Sequence, residues 1–254
     1  MISVIVCSRL GPESDLHEKN VVRTIGCDFE YVRLDNQNGD EGLCAAYNKG
    51  IRQAQGDILV FVHEDVFFMT LGWGKILKQK FAGDSRLGLV GVAGTQHLFK
   101  AREMWTAAGI PHLRGRVVHE LDEGRQFFLT VFSEHKNDDE VVAVDGLFFA
   151  IPAHLFDRIQ FDENTFDRFH FYDLDICMQI RRTHRIIVTC DILVKHRSTK
   201  HNSYSWREAA GKFIDKYRHL LPVSCSDSPP QAPVRGQRCF SVELKGRIPQ
   251  SPSL

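Results

Sequence analysis

Short apolar runs separated by polar, helix-forming stretches dominate the first ninety or so residues. Ile2–Cys7 (ISVIVC), Phe29–Leu34, Ile58–Val62 and Leu87–Val92 each read as a buried strand bounded by turn residues. Helical patterns lie between them. Asp15 to Thr24 has capping-box spacing at Asp15 and Glu18 and stops at Gly26. Leu43 to Gln55 puts Leu43, Ala46, Tyr47, Ile51 and Ala54 on one face and closes at Gly56. A third helix covers Trp73–Phe81. Strands alternating with helices at this spacing predict an α/β fold, a mainly parallel sheet wound on both sides.

The pattern loosens after Gly94. Arg116–His119 and Gln126–Phe132 read as strands, and Glu134–Glu140 as a solvated loop. Val141–Val144 and Leu147–Ile151 flank Asp145-Gly146, and a helix is expected from Pro152, where a missing N–H is harmless. A helix over Tyr172–Thr183 leads to strands at Ile186–Thr189 and Ile192–Lys195. The last helix starts at Ser205 with Glu208 completing a capping box. It carries Trp206, Ala210, Phe213, Tyr217 and Leu220 on one side, and Pro222 ends it. Residues 222–254 are rich in Ser and Pro and read as a linker or loosely docked extension of a single domain, 1–221.

Composition narrows the classes. The 254 residues are 43% hydrophobic and 25% charged, an ordinary globular balance. Lys plus Arg and Asp plus Glu both number 32, so nothing favours a broad nucleic-acid or membrane surface, and any bound anion needs a local site. Seven Cys, none as CxxC, argue against a disulfide framework and a structural zinc site. Cys7, Cys44 and Cys177 fall in apolar segments and are expected as reduced core residues. With no signal peptide and no apolar run near membrane-span length, the expected location is the cytoplasm, with peripheral membrane contact left open.

Polar clusters close three of the strands, where open α/β sheets collect ligands. Ser8-Arg9 offers a hydroxyl and a guanidinium to a nucleotide, and Asp35-Asn36 offers acceptors to a base or ribose. His63-Glu64-Asp65 offers imidazole and carboxylate to a divalent cation. Asp173-Leu174-Asp175 looks like a competing chelator, but helical residues two apart point about 200° away from each other. One carboxylate therefore faces a cleft and the other caps or pairs elsewhere. Asp173, after the aromatic run Phe169-His170-Phe171-Tyr172, is the general-base candidate, and Asp175 the capping one. His196, at the end of a late strand, is a candidate ligand for an ion held by Asp65.

The chain resembles the family 2 glycosyltransferases of the GT-A fold, particularly the bacterial rhamnosyltransferase-like branch. The resemblance runs from Ile2 to about Thr199. It is carried by ISVIVCSR, VRLDNQNG and GLCAAYNKGIRQAQGDILVFVHEDV, then by VDGLFFAIPAHLF, FDENTF, FYDLDICMQIRR and VKHRST. It implies a GT-A-like (Rossmann-like) mixed sheet flanked by helices, with residues 1–93 binding a nucleotide-sugar donor and 94–221 forming the acceptor and catalytic half. By resemblance, Asp35 contacts the nucleobase, Asn48 belongs to the donor-side Asn-x-Gly helix, Asp65 holds Mn2+ or Mg2+, and His196 is the later metal or diphosphate ligand. Ser8, Arg9, Asn36, His63 and Glu64 join the donor side, Asp145, Gly146 and Tyr172 the acceptor side, and Asp173 is the base of an inverting transfer. The acceptor class, whether glycan, lipid-linked or protein, is not specified. Two positions depart from the family pattern: His63 stands where the metal motif has its first Asp, and Tyr172 where the acidic motif has Glu. Two rival readings are a metal-dependent hydrolase built on His63, Glu64, Asp65 and His196, and a sugar-binding module without catalysis.

Overall fold

In a computed structural model the chain is described over residues 1–9, 11–100, 105–121, 126–132, 137–197, 204–233 and 240–243. The first half runs β1 (Ile2–Ser8), α1 (Pro12–Thr24), β2 (Phe29–Asp35), α2 (Leu43–Gln53), β3 (Ile58–Val62), β4 (Val66–Phe68), α3 (Trp73–Gly83) and β5 (Leu87–Gly91). Short strands follow: β6 (Ala93–Thr95), β7 (His97–Leu98), β8 (Leu113–Leu121), β9 (Gln126–Val131), β10 (Asp139–Glu140), β11 (Ala143–Val144) and β12 (Phe148–Pro152). After a 3-10 turn at Ala153–Asp157 come α4 (Tyr172–Ile180), β13 (Arg185–Val188), β14 (Val194–Arg197), α5 (Tyr204–Tyr217), β15 (Val223–Ser224) and β16 (Phe240–Glu243).

The central sheet has the order β10-β13-β5-β12-β3-β1-β2. β2, β1 and β3 are parallel, as the helical crossovers α1 and α2 require. β12 then enters antiparallel between β3 and β5, so the sheet is mixed. Its central strands β3, β5 and β12 are buried along their whole length because both faces are covered. Ile5, Leu59, Phe61 and Phe149 face the α2 and α4 side, while Val4, Val6, Val60 and Val62 face Trp73 and Leu77 of α3. Each such buried side chain stabilises the fold by about 1.5–3 kcal/mol. α2 lies close to the sheet at Gly50, where a Cβ would stand 2.5 Å from a methyl of Ile5. A second sheet, β11-β6-β8-β14-β4, with β9 on β8 and β16 on β9, forms a wall beyond the end of β3.

Several expectations are corrected. α1 starts at Pro12 rather than Asp15, with Gly11 as the cap. Asp15 and Glu18 do not cap it; both bind Arg33 of β2, at 3.0 and 2.5 Å. The helix expected from Pro152 is one 3-10 turn, and α4 ends at Ile180 rather than Thr183. β14 begins at Val194, two residues later than expected, which puts His196 inside the strand. Leu220 is 39% exposed and leaves the apolar face of α5. Part of the expected solvated loop, Asp139–Glu140, pairs with β13, while residues 133–136 lie outside the described ones. The extension is not wholly loose: Val223–Ser224 pairs with β7 and Phe240–Glu243 with β9. Cys44 and Cys177 are buried free thiols, Cys7 a partly buried one. Among the described residues no helix is long and apolar enough to cross a membrane.

Asp175 fastens α5 to α4. It is 1% exposed, and its carboxylate accepts from Lys216 Nζ at 2.6 Å, Tyr217 Oη at 2.7 Å and Gln179 Nε2 at 2.8 Å. It thus pairs across to another helix instead of capping its own. Asp175→Asn loses the charge-assisted bond from Lys216 and is expected to lower unfolding free energy by about 2 kcal/mol. Urea denaturation checks this, and a variant as stable as the parent would contradict the assignment.

Candidate active site

The polar turn after β3 is fixed from both sides. The His63 N–H donates to the Leu147 carbonyl at 3.1 Å, and the Val66 N–H returns to the His63 carbonyl at 3.1 Å. The chain then enters β4, which pairs antiparallel with β14 in a register that sets Val66 opposite His196. That register brings His196 Nε2 to 3.5 Å from Asp65 Oδ2, and the Arg197 N–H to 3.2 Å from the Asp65 carbonyl. One ligand atom from each of His63, Asp65 and His196 lies within 4.8 Å of the others. Two imidazoles and a carboxylate at that spacing form a donor set that fits a first-row divalent cation.

Charge is balanced within this trio. Burial alone would raise the Asp65 carboxyl, but the hydrogen bond and charge of His196, with His63 beyond it, hold it below the ordinary carboxylate value. Burial opposes the charged His196, yet Asp65 keeps it above the ordinary imidazole value. His63 is pushed below that value, first by burial and then, against the pull of Asp65, by the neighbouring His196. Glu64 turns away from the trio. Its carboxylate accepts from Ser8 Oγ at 2.8 Å and the Arg9 N–H at 3.1 Å, tying β1 to the turn after β3.

The second half of the site stands on Phe171, the N-cap of α4, held at φ 67° in the left-handed region. A bulky residue there is strained by roughly 1–2 kcal/mol, and packing against Trp206 and Phe213 holds it. The next two residues reach Gly146. Tyr172 Oη lies 2.9 Å from the Gly146 carbonyl, which it donates to, and 2.7 Å from His63 Nε2. Asp173 Oδ2 accepts the Gly146 N–H at 2.9 Å, and its Oδ1 the Leu174 N–H at 2.9 Å. Asp145 accepts the Leu147 N–H at 2.9 Å. These groups line a cavity of about 200 Å3 whose polar wall is His63, Asp145 and Asp173 and whose aromatic wall is Trp105, Phe169 and Trp206. Enclosure by protein and then the Asp145 charge raise the Asp173 carboxyl to about 7.

Not every expected residue joins this cavity. Ser8 is fully buried, bonded to Glu64 and 2.8 Å from Ser14, so its hydroxyl supports the turn. Asn36 is spent on the Glu41 backbone at 2.9 and 3.2 Å, where it shapes the loop before α2. Asn48 clamps Phe161 in both directions, at 2.9 and 3.2 Å, and meets Glu163, so it is built into the fold behind the site. Asp35 and Arg9 are exposed at the ends of β2 and β1. His119 is an addition: it faces His196 across β8 and β14, with ring centroids 6.1 Å apart. Trp206 is another, expected only as part of an apolar helix face. Its signal was the pairing of a large aromatic with the edge of a helix that follows the late histidine.

Residues 13–217 match the model of a family described as a glycosyltransferase-like family. Among solved structures the fold is similar to GalNAc-T7 crystallised with UDP, GalNAc and Mn2+ (TM-score 0.58, 10% identity, 86% of this chain and 48% of that one). It is also similar to the mannosyltransferase PcManGT from Pyrobaculum calidifontis in complex with GDP-Man and Mn2+ (TM-score 0.55, 15% identity, 90% of this chain and 65% of that one). The chain thus spans about half the length of the first, and at these identities the likeness is one of fold. No curated protein matches the sequence.

The raised Asp173 carboxyl makes a stability prediction. Between about pH 4 and about pH 7 the folded chain keeps a proton that the unfolded chain releases, so stability falls as pH rises through that window. Asp173→Asn carries no such proton. Its urea-unfolding profile is expected to be flatter over the window, and the variant to be the more stable protein at about pH 8. A parent-like profile would mean that Asp173 ionises at its ordinary value.

Proposed function

The chain belongs to the glycosyltransferase-like family, and we propose that it moves a sugar from a nucleotide-sugar donor to an acceptor hydroxyl, with inversion and with Asp173 as the base. One observation carries this reading. A carboxyl poised near neutrality shares a cavity with His63, a member of the His63–Asp65–His196 cluster.

On this reading the donor lies across the ends of β1, β2 and β3, and the acceptor enters between Asp173 and the aromatic wall. Asp173, fixed by the Gly146 and Leu174 N–H groups, takes the proton of the acceptor hydroxyl. The acceptor oxygen forms a bond to the anomeric carbon, and the bond from that carbon to the diphosphate breaks, its electron pair leaving with the nucleoside diphosphate. His63, Asp65 and His196 would hold a divalent cation, which supplies the positive charge that a departing diphosphate requires. Two imidazoles with one carboxylate fit Mn2+ better than Mg2+, which prefers an all-oxygen shell. Exposed Asp35 and Arg9 keep their proposed parts at the nucleobase and the donor phosphates. The described residues lining the cavity include no Lys or Arg and two carboxylates, surroundings that favour an uncharged hydroxyl acceptor over a phosphate. The rhamnosyltransferase-like branch and bacterial glycan assembly are part of the same reading and rest on the motif series; a cytoplasmic location is proposed alongside them.

Two variants test it. Asp65→Ala removes the only carboxylate of the cluster and is expected to abolish Mn2+-dependent binding of nucleoside diphosphate while the chain stays folded, with a melting temperature lowered by loss of the His196 pair. Retained cation-dependent binding, read by calorimetry, would refute the metal assignment. Asp173→Asn should bind donor as the parent does and turn over about 10²–10⁴-fold more slowly. A variant at parental turnover, followed by mass spectrometry of the released diphosphate, would move the base elsewhere.

A further inference from the structure

The two positions where the chain departs from the family's motifs touch each other. His63 Nε2 lies 2.7 Å from Tyr172 Oη, and the same hydroxyl lies 2.9 Å from the Gly146 carbonyl. Tyr172 is 3% exposed, so water does not supply these bonds in its place. A phenol has one proton, and a carbonyl can only accept. The arrangement that satisfies all three groups has Tyr172 donating to Gly146 and accepting from His63 Nε2–H. The opposite assignment, with the hydroxyl turned to Nε2, strips the Gly146 carbonyl of that partner.

A neutral imidazole protonated on Nε2 has its lone pair on Nδ1. We propose that Tyr172 is a positioning residue that fixes His63 in the Nε2-protonated form, so that Nδ1 is the atom offered to a cation beside Asp65 and His196. The proposal rests on the reading that this cluster holds a divalent cation. It also gives a reason for both departures together. An aspartate at position 63 would offer oxygen whichever way it turned and would need no donor-acceptor partner. A histidine there must be told which nitrogen to expose, and Tyr172 does that. Gly146 makes it possible, since a Cβ at that position would lie 2.1 Å from Tyr172 Oη.

The histidine form is read directly on the cation-free full chain by long-range nitrogen–carbon-bound-proton NMR of His63. Expected is a protonated Nε2 and a bare Nδ1; the reverse overturns the proposal, whether or not any cation binds. Mn2+ titration calorimetry gives the second reading. Tyr172→Phe keeps the ring and is expected to bind Mn2+ about 10–100-fold more weakly, the usual loss when the outer partner of a ligating histidine is removed. In a His63→Asp background the same substitution should change the affinity less than about twofold, because no tautomer remains to be selected. Equal losses in both backgrounds would make Tyr172 a packing residue and overturn the assignment. A parent that binds no Mn2+ at all refutes the cation reading and, with it, the purpose given to Tyr172, while the NMR result still decides which nitrogen it protonates.

Discussion

Gly146 has no side chain, and the cavity is organised around that gap. Its N–H is given to Asp173 and its carbonyl receives Tyr172, while the space a Cβ would fill is occupied by the phenol oxygen. Two helical residues from α4 therefore bear on one loop residue that leads into β12. β12 in turn lies between β3 and β5 in the central sheet, so the loop is set by the sheet itself. Asp173 owes its position to a backbone that cannot shift without disturbing the core. Site geometry of this kind depends on rigid elements more than on the site's own bonds.

The His63–Asp65–His196 cluster follows from a different constraint, strand register. β4 is three residues long and looks dispensable, yet its pairing with β14 is what sets Val66 opposite His196 and so carries His196 to Asp65. A shift of one residue would turn the histidine to the opposite face of the sheet. The wall formed by β8, β9 and β14 thereby does more than cover the end of the central sheet. It contributes His196 to the cluster, and it brings His119 up against that histidine.

Much of the first half of the chain was legible because its signals are local. Apolar runs bounded by polar or turn residues mark β1, β2, β3 and β5, and the carboxyl ends of the first three direct attention to residues 8–9, 35–36 and 63–65. The strand-end rule locates positions but does not say which side chains are already engaged. Ser8, Asn36 and Asn48 look like ligand contacts in one dimension and are consumed by Glu64, the Glu41 backbone and Phe161 in three. Helix geometry correctly separated Asp173 from Asp175, since opposite faces are a property of the helix alone. What Asp175 meets was hidden, because Lys216 lies 41 residues away in sequence. β4 and the strands of the extension were hidden for a related reason: two to four residues carry no period, and only their partners make them strands.

The bond between Asp175 and Lys216 has a mechanical consequence. Trp206, on the aromatic wall, and Lys216 belong to one helix, and about 15 Å of axis separates them. One end of this rod is fastened to the helix that carries Asp173, and near the other end Trp206 packs against Phe171 at the N-cap of that helix and lines the cavity. A displacement of α4 carries the anchor with it, and the stiff rod passes the movement on to the tryptophan.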